Sequence, residues 1–336
     1  MIIPSKIMHL DEKSLFLHAY LRSRMKNKLA YHILAISIIA VWGVTFINTK
    51  YLIINGLTPQ EIFLLRFILA YIGVWTFSPH KLFADNWRDE LTTVLLGITG
   101  GSLYFWSENT AIQYSLVNNV AFIVCNAPLL TLFLGMAFSK EIKASKLIIA
   151  GSFISLLGVA LVIFNGSFIL KLNPIGDFLA LVAAASWAIY SLVMRNMTSR
   201  YDVTFLTRKV FFYGILTILP VFFIKPWQFP MEHIVMPVIW MNLVFLGVIA
   251  ALICFVLWSI VIRELGALTS ANYIYLSPVS TMIASAIFLK EPVTLFSVLG
   301  SILILLGLFI VGFYSRHKKT RAVLAVNDNS SHIYGE

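Results

Sequence analysis

Apolar stretches of about 20 residues recur along this chain, each long enough to cross about 30 Å of hydrocarbon as a helix. They fall at roughly 31–52, 59–77, 92–112, 116–138, 145–164, 177–197, 203–224, 238–262, 267–289 and 293–314. The connections between them are short and hold most of the Lys, Asp, Gly and Pro. Composition agrees with this reading: 59% of residues are hydrophobic, 12% are charged, and mean hydropathy is +0.87. A soluble core built from 336 residues would leave far more polar surface. The sequence therefore predicts an all-α polytopic membrane protein with ten transmembrane helices.

The formal charge of +10 raises the question of nucleic acid, and its distribution answers it. With ten spans and a cytoplasmic N-terminus, only Lys50, Lys171, Lys225 and Lys290 fall on the outer side. Arg66, Arg208 and Lys209 lie in or near helices, and the rest of the 25 basic residues fall inside. That bias is the positive-inside rule, which puts both termini in the cytoplasm and sets topology in a bilayer; no nucleic-acid partner is expected. The first tail, "MIIPSKIMHLDEKSLFLHAYLRSRMKNK", is basic and mildly amphipathic, lacks a small-residue cleavage site, and is expected at the membrane surface. The tail after "YSRHKKTR" is polar and expected to be disordered. Cys125 and Cys254 both fall within spans and read as small buried hydrophobes.

The chain also repeats itself. "APLLTLFLGMAFSKE" (127–141) and "SPVSTMIASAIFLKE" (277–291) both read Pro, eleven residues, then Lys-Glu. "GSFISLLGVALVIF" (151–164) matches "GSILILLGLFIVGF" (300–313) at seven of fourteen positions. "FLLR" (63–66) echoes "FLTR" (205–208), and "VWGVTF" (41–46) faintly echoes "SWAIYS" (186–191), at offsets of about 140–150 residues. Five spans per half is an odd number, so the second half enters the membrane in the opposite sense. Lys140-Glu141 is then inside and Lys290-Glu291 outside. The expected organisation is a cytoplasmic basic tail over 1–30, a first five-helix repeat over 31–165 and an external connector over 166–176. A second, inverted five-helix repeat follows over 177–315, with a cytoplasmic C-terminal tail over 316–336. Inverted repeats are frequent in secondary transporters, whose substrate sites lie near the midplane at the repeat interface.

With its early "WG", "LLRF" in the second span, a fourth span with a central Pro ending in "KE", and "IGDFLALVAAASWAIYSLVMR" opening the second half, the chain resembles EamA-type members of the drug/metabolite transporter superfamily. The resemblance covers about residues 31–315 and rests on the order and duplication of short motifs. It implies ten helices around a central cavity and export or exchange of small metabolites, often amino acids. "SWAIYS" departs from the pattern in lacking the Gly of "WG", and Glu108 is no part of it.

Of the fifteen acidic residues, Glu108 alone lies well inside a span. A charge there costs a few kcal/mol, so intramembrane acids usually face protein or water. Three readings stay open: a cavity group that carries a proton or attracts a substrate amine, an ion pair with Arg66, or a side chain reaching the outer headgroups. Tyr104, four residues earlier, shares its helical face. Further candidates for binding substrate are Trp42, Thr45 and Asn48 on the first span, and Trp187 and Tyr190 on the sixth. Asn119 and Asn126 on the fourth, Trp258 at the repeat equivalent of Glu108, and Asn272 with Tyr275 on the ninth complete the set. Aromatic rings with a few amides suit a mostly apolar solute with one polar end; interfacial belts and helix–helix glue are the competing roles. Pro128 and Pro278 each remove a backbone hydrogen bond and are candidate hinges for alternating access, or static kinks. Arg66 and Arg208 match across the halves, as pairing or anchoring groups or as contacts to an anionic substrate. Gly97, Gly100 and Gly101, and Gly151, Ser155 and Gly158, permit close helix packing.

The seven His lie in tails, loops or helix ends, and no metal-ligand pair, Walker loop, dinucleotide motif or nucleophile–base pair appears at membrane depth. The expectation is a secondary transporter rather than an enzyme, without cofactor or metal. It would work as a monomer in the cell (inner) membrane and move small metabolites, amino acids foremost, mainly outward by alternating access. An exchanger of phosphorylated or nucleotide-linked solutes and a non-transporting scaffold or receptor are the alternatives. Several fixed cations deep in the cavity would be the mark of the first.

Overall fold

The computed structural model describes residues 5–78, 81–115, 117–138, 145–164, 173–284 and 293–311, with side-chain surroundings from residue 28 onward. Among these residues the regular structure is helical throughout. The first half comprises α1 (Ser5–Ile54), α2 (Pro59–Trp75), α3 (87–114), α4 (117–138) and α5 (Lys146–Phe164). The second comprises α6 (Pro174–Met197), α7 (Val203–Ile218), α8 (Pro237–Leu265), α9 (267–284) and α10 (Leu295–Val311). Among the described residues, six helices are long and apolar enough to cross a membrane: α1 from Lys28, α4 from Asn119, α5, α6, α7 extended to Ile224, and α8. The two Lys-Glu pairs, Lys171 and the C-terminal tail lie outside the described residues.

Helix starts follow local chemistry. Asn173 precedes Pro174 and accepts from Gly176 N at 2.9 Å; Asp202 accepts from Thr204 N at 2.7 Å. Glu61 closes a capping box on Thr58 N at 2.8 Å, and its second oxygen accepts from Phe229 N at 3.0 Å, which ties α2 to the segment before α8.

The perimeter carries many large apolar side chains, and a few charged groups are buried. Phe223 is 90% exposed and Phe138 84%, whereas Glu108 is 8% exposed and Arg66 2%. So large an exposed apolar perimeter fits a chain surrounded by hydrocarbon.

Helix contacts run mainly between the halves, and they come in matched pairs. α2 packs on α8 as α7 packs on α3; α1 packs on α9 as α6 packs on α4; α1 packs on α8 as α6 packs on α3. α5 and α10 meet through backbone. A Cβ on Gly158 would lie 2.5 Å from the Gly300 carbonyl oxygen, one on Gly300 would lie 2.6 Å from that of Gly158, and Ser155 Oγ donates to Ile304 O at 3.3 Å. The small residues expected to allow close packing in α5 therefore do so, with α10 as the partner.

α3 and α8, the third helix of each half, each contain a π-helical stretch, Ile98–Ser102 and Phe245–Ile253. Such stretches often mark functional positions in helices. α4 breaks at 125–126, and α9 tightens to a 3-10 turn over Tyr273–Leu276, each just before its proline.

Charges gather at one end of the bundle, where α3 begins and α6 meets α7. Arg200 pairs with Asp89 at 2.7 Å, Tyr201 donates to Asp89 Oδ2 at 2.8 Å, and Lys209 and Tyr213 both reach Glu90. Arg208 donates to Lys81 O and lies over the Trp75 ring. The Tyr201 hydrogen bond, then those from Asn86 and the Arg200 charge, hold the Asp89 carboxyl below its ordinary value.

Candidate functional site

Between the halves lies a cavity of about 60 Å³, lined by α1, α2, α3, α4, α6, α8 and α9. Trp42 and Thr45 come from α1, Arg66 from α2, Tyr104 and Glu108 from α3, and Trp187 from α6.

Trp42 is fixed by its indole N–H, which donates to Ala250 O at 2.9 Å, a carbonyl within the π-helical stretch of α8. Its ring meets Trp187 edge-on at 5.4 Å and packs on Phe255 at 5.8 Å and Trp258 at 5.1 Å. The adjoining Gly43 lets α1 close on α9, since a Cβ there would lie 2.8 Å from both Ser277 O and Ser280 Cβ. In "WG", Trp42 faces the cavity and Gly43 seats the helix that carries it.

α3 supplies the acid. Tyr104 Oη donates to Glu108 Oε1 at 2.7 Å, as their four-residue spacing allows. The hydrogen bond is charge-assisted when the carboxylate is ionised. Arg66 lies across the cavity with its guanidinium 4.2 Å from the centroid of the Phe105 ring. Among the described residues Arg66 has no hydrogen-bond or ion-pair partner, and its Nε is buried without one. Arg66 and Glu108 line one cavity but do not pair directly.

The other candidates lie outside the lining. Asn48 donates to Asn242 Oδ1 at 2.6 Å, joining α1 to α8. Asn126 donates to Phe122 O and Ile123 O of its own helix, where α4 breaks. Asn272 donates to Leu268 O and accepts from Ser152, linking α9 to α5. Asn119 is buried away from the cavity. Tyr190 reaches Ser259 at 3.4 Å behind Trp187, while Trp258 and Tyr275 are wholly buried in the core. Of these, Tyr190 and Trp258 pack behind the lining rings Trp187 and Trp42.

Sequence reasoning missed Phe105 and Phe255, and the positions beside the two prolines. Val124, Cys125 and Ala127 precede Pro128; Ile274 and Ser277 precede Pro278; all five line the cavity. Cys125 Sγ lies 3.9 Å from Ile274 O, the carbonyl that Pro278 leaves without its helical donor. The prolines themselves were the signal for this part of the wall.

The EamA-like transporter family model matches residues 29–164 and again 174–313. An uncharacterized transporter of Archaeoglobus fulgidus is 25% identical over 287 residues, covering 83% of this chain and 96% of its own length. A probable amino-acid metabolite efflux pump of Escherichia coli is 25% identical over 299 residues, with coverage of 85% and 96%. A solved crystal structure shares the fold with a TM-score of 0.67 at 16% identity, covering 87% of this chain and 98% of its own. Two consecutive matches to one family model, over helices that enclose a shared cavity, carry the conclusion that this chain is a multi-pass membrane transporter belonging to the EamA-like transporter family.

Proposed function

We propose that this transporter exports small metabolites, amino acids foremost, across the plasma membrane by alternating access. The observation that carries the reading is the cavity itself: both halves contribute walls, aromatic rings cover much of it, and it holds one guanidinium and one carboxylate. Rings take an apolar side chain, and two opposite charges take a solute bearing both signs. The probable amino-acid metabolite efflux pumps of Escherichia coli and Salmonella typhimurium, each 25% identical to this chain, support the same substrate class.

The lining opposes phosphorylated or nucleotide-linked solutes. Arg66 is the one basic residue among those lining the cavity, Glu108 would repel a phosphate, and Arg208 and Lys209 are engaged at the charged end of the bundle.

The architecture we propose is ten spans in two inverted repeats of five, with both termini cytoplasmic. Matched contacts between the halves support a two-fold relation, and five spans per repeat put its axis in the membrane plane. The charged end then faces the cytoplasm, in keeping with the positive-inside rule. Pro128 and Pro278 are the hinges of this scheme, because the breaks beside them form cavity wall in both halves.

Glu108 is the coupling residue. Tyr104 and Arg66 are the polar groups that face it, and a carboxyl so placed can hold a proton or a substrate amine but not both. A proton entering from the outside would then displace substrate to the outside, and the protonated carboxyl would return inward to give up its proton there. The test is efflux of labelled amino acids from loaded proteoliposomes under an imposed pH gradient. Wild type should respond to the gradient, and Glu108→Gln should keep a slower counterflow that no longer responds. An unchanged response in the variant would end the proton role.

A further inference from the structure

Burying a guanidinium carries a desolvation penalty, and a buried charge normally offsets it through a partner. Arg66 is 2% exposed and, among the described residues, makes no hydrogen bond or close ion pair; its guanidinium lies over the Phe105 ring. Glu108, on the neighbouring helix and in the same cavity, would be the obvious partner. The two remain unpaired: Tyr104 holds Glu108 Oε1 at 2.7 Å, and Phe105 holds Arg66 at 4.2 Å from its centroid. Tyr104 and Phe105 are consecutive and stand edge-on to each other at 4.7 Å, so adjacent positions of one helix hold the two charges apart. Directly paired charges would neutralise each other and leave nothing for a ligand, whereas separated ones keep both available.

We infer that Arg66 and Glu108 form a dipolar clamp that selects α-amino acids in their zwitterionic form, with Arg66 taking the carboxylate and Glu108 the ammonium. This rests on the reading of the protein as an amino-acid transporter and adds how the amino acid is recognised. Guanidinium suits a carboxylate because its planar fork can donate two parallel hydrogen bonds. The third substituent of the α-carbon then faces Trp42, Trp187 and Phe255, whose rings meet one another at 5.4–5.8 Å. That wall favours an apolar or aromatic side chain. A solute lacking either charge would leave one buried group of the clamp unmatched, and sites of that kind reject such analogues strongly.

The test uses the full chain in proteoliposomes, with labelled phenylalanine as the counterflow probe. Unlabelled phenylalanine, 3-phenylpropionate, which lacks the amine, and phenethylamine, which lacks the carboxylate, serve as competitors. In wild type, phenylalanine should compete at least about tenfold better than either analogue. Glu108→Gln should weaken phenylalanine about tenfold or more and bring 3-phenylpropionate level with it, leaving phenethylamine poor. Arg66→Gln should produce the mirror-image ranking, and Arg66→Lys should keep the wild-type order. A variant that fails to fold gives no counterflow at all, and the wild-type series then decides alone. If the analogues compete as well as phenylalanine, the clamp is wrong while amino-acid transport stands. If phenylalanine does not accumulate in wild type, the clamp falls, and transport of other amino acids is judged by their own labels.

Discussion

Thr45 illustrates what a single position contributes. Its hydroxyl is spent on Trp42 O one turn earlier, at 2.7 Å, so what the cavity receives from it is mainly a small side chain and the space beside it. Thr45→Leu should fill that space, cutting amino-acid counterflow at least about tenfold while leaving the unfolding midpoint in detergent within a few degrees. Loss of counterflow with a large fall in midpoint would instead mean that Thr45 serves packing. At this scale the candidate rings divide evenly between the cavity and the core, Glu108 lies in the cavity, and the amides lie outside its lining. Trp42, Tyr104, Glu108 and Trp187 line the cavity, whereas Tyr190, Trp258 and Tyr275 pack into the core, because a ring inside a span can be taken by either. Asn48, Asn126 and Asn272 have short amides that reach backbone or a neighbouring helix first, and periodicity gives a face but not a partner.

Helices 5 and 10 cross on glycine. A Cβ added at Gly158 meets the backbone of Gly300, which has no side chain to rotate away, so the helices themselves must part. Gly158→Val should cost on the order of 1–3 kcal/mol and lower the thermal midpoint in detergent by several degrees. An unchanged midpoint would show that the helices separate freely. This contact was legible, since "GSFISLLG" and "GSILILLG" place small residues at the same spacing. The π-helical stretches of α3 and α8 were not. They reflect how long helices settle against neighbours, and no local residue pattern demands them.

The charged end joining α3 to α6 and α7 carries a pH dependence. Asp89 is held below its ordinary value, so its ion pair and hydrogen bonds stabilise the fold above the usual carboxyl range. That contribution disappears as pH falls through the lower folded value, below roughly 4. The unfolding midpoint should therefore drop on acidification, and Asp89→Asn should lower it at neutral pH while flattening the acid limb. A variant with an unaltered pH profile would contradict this.

At the scale of the whole molecule, duplication was the most legible property, because two copies of one pattern at a constant offset leave few alternatives. The reciprocal helix contacts follow once the copies fold against each other. Orientation in the bilayer rests on basic residues in the connections, and single cysteines test it against the buried pair Cys125 and Cys254. Lys225→Cys should react with a membrane-impermeant maleimide on intact cells, and Arg263→Cys only after permeabilisation. Labelling of both in intact cells would overturn the inverted arrangement.

The central claim is that this cavity carries amino acids, and counterflow tests it most directly. Proteoliposomes loaded with mixed unlabelled amino acids would be offered labelled phenylalanine, threonine and lysine in turn, with protein-free vesicles as control. Phenylalanine should accumulate most, threonine less and lysine least, since the wall of Trp42, Trp187 and Phe255 offers a second ammonium no carboxylate to replace its water. Accumulation no greater than in protein-free vesicles for all three would contradict it.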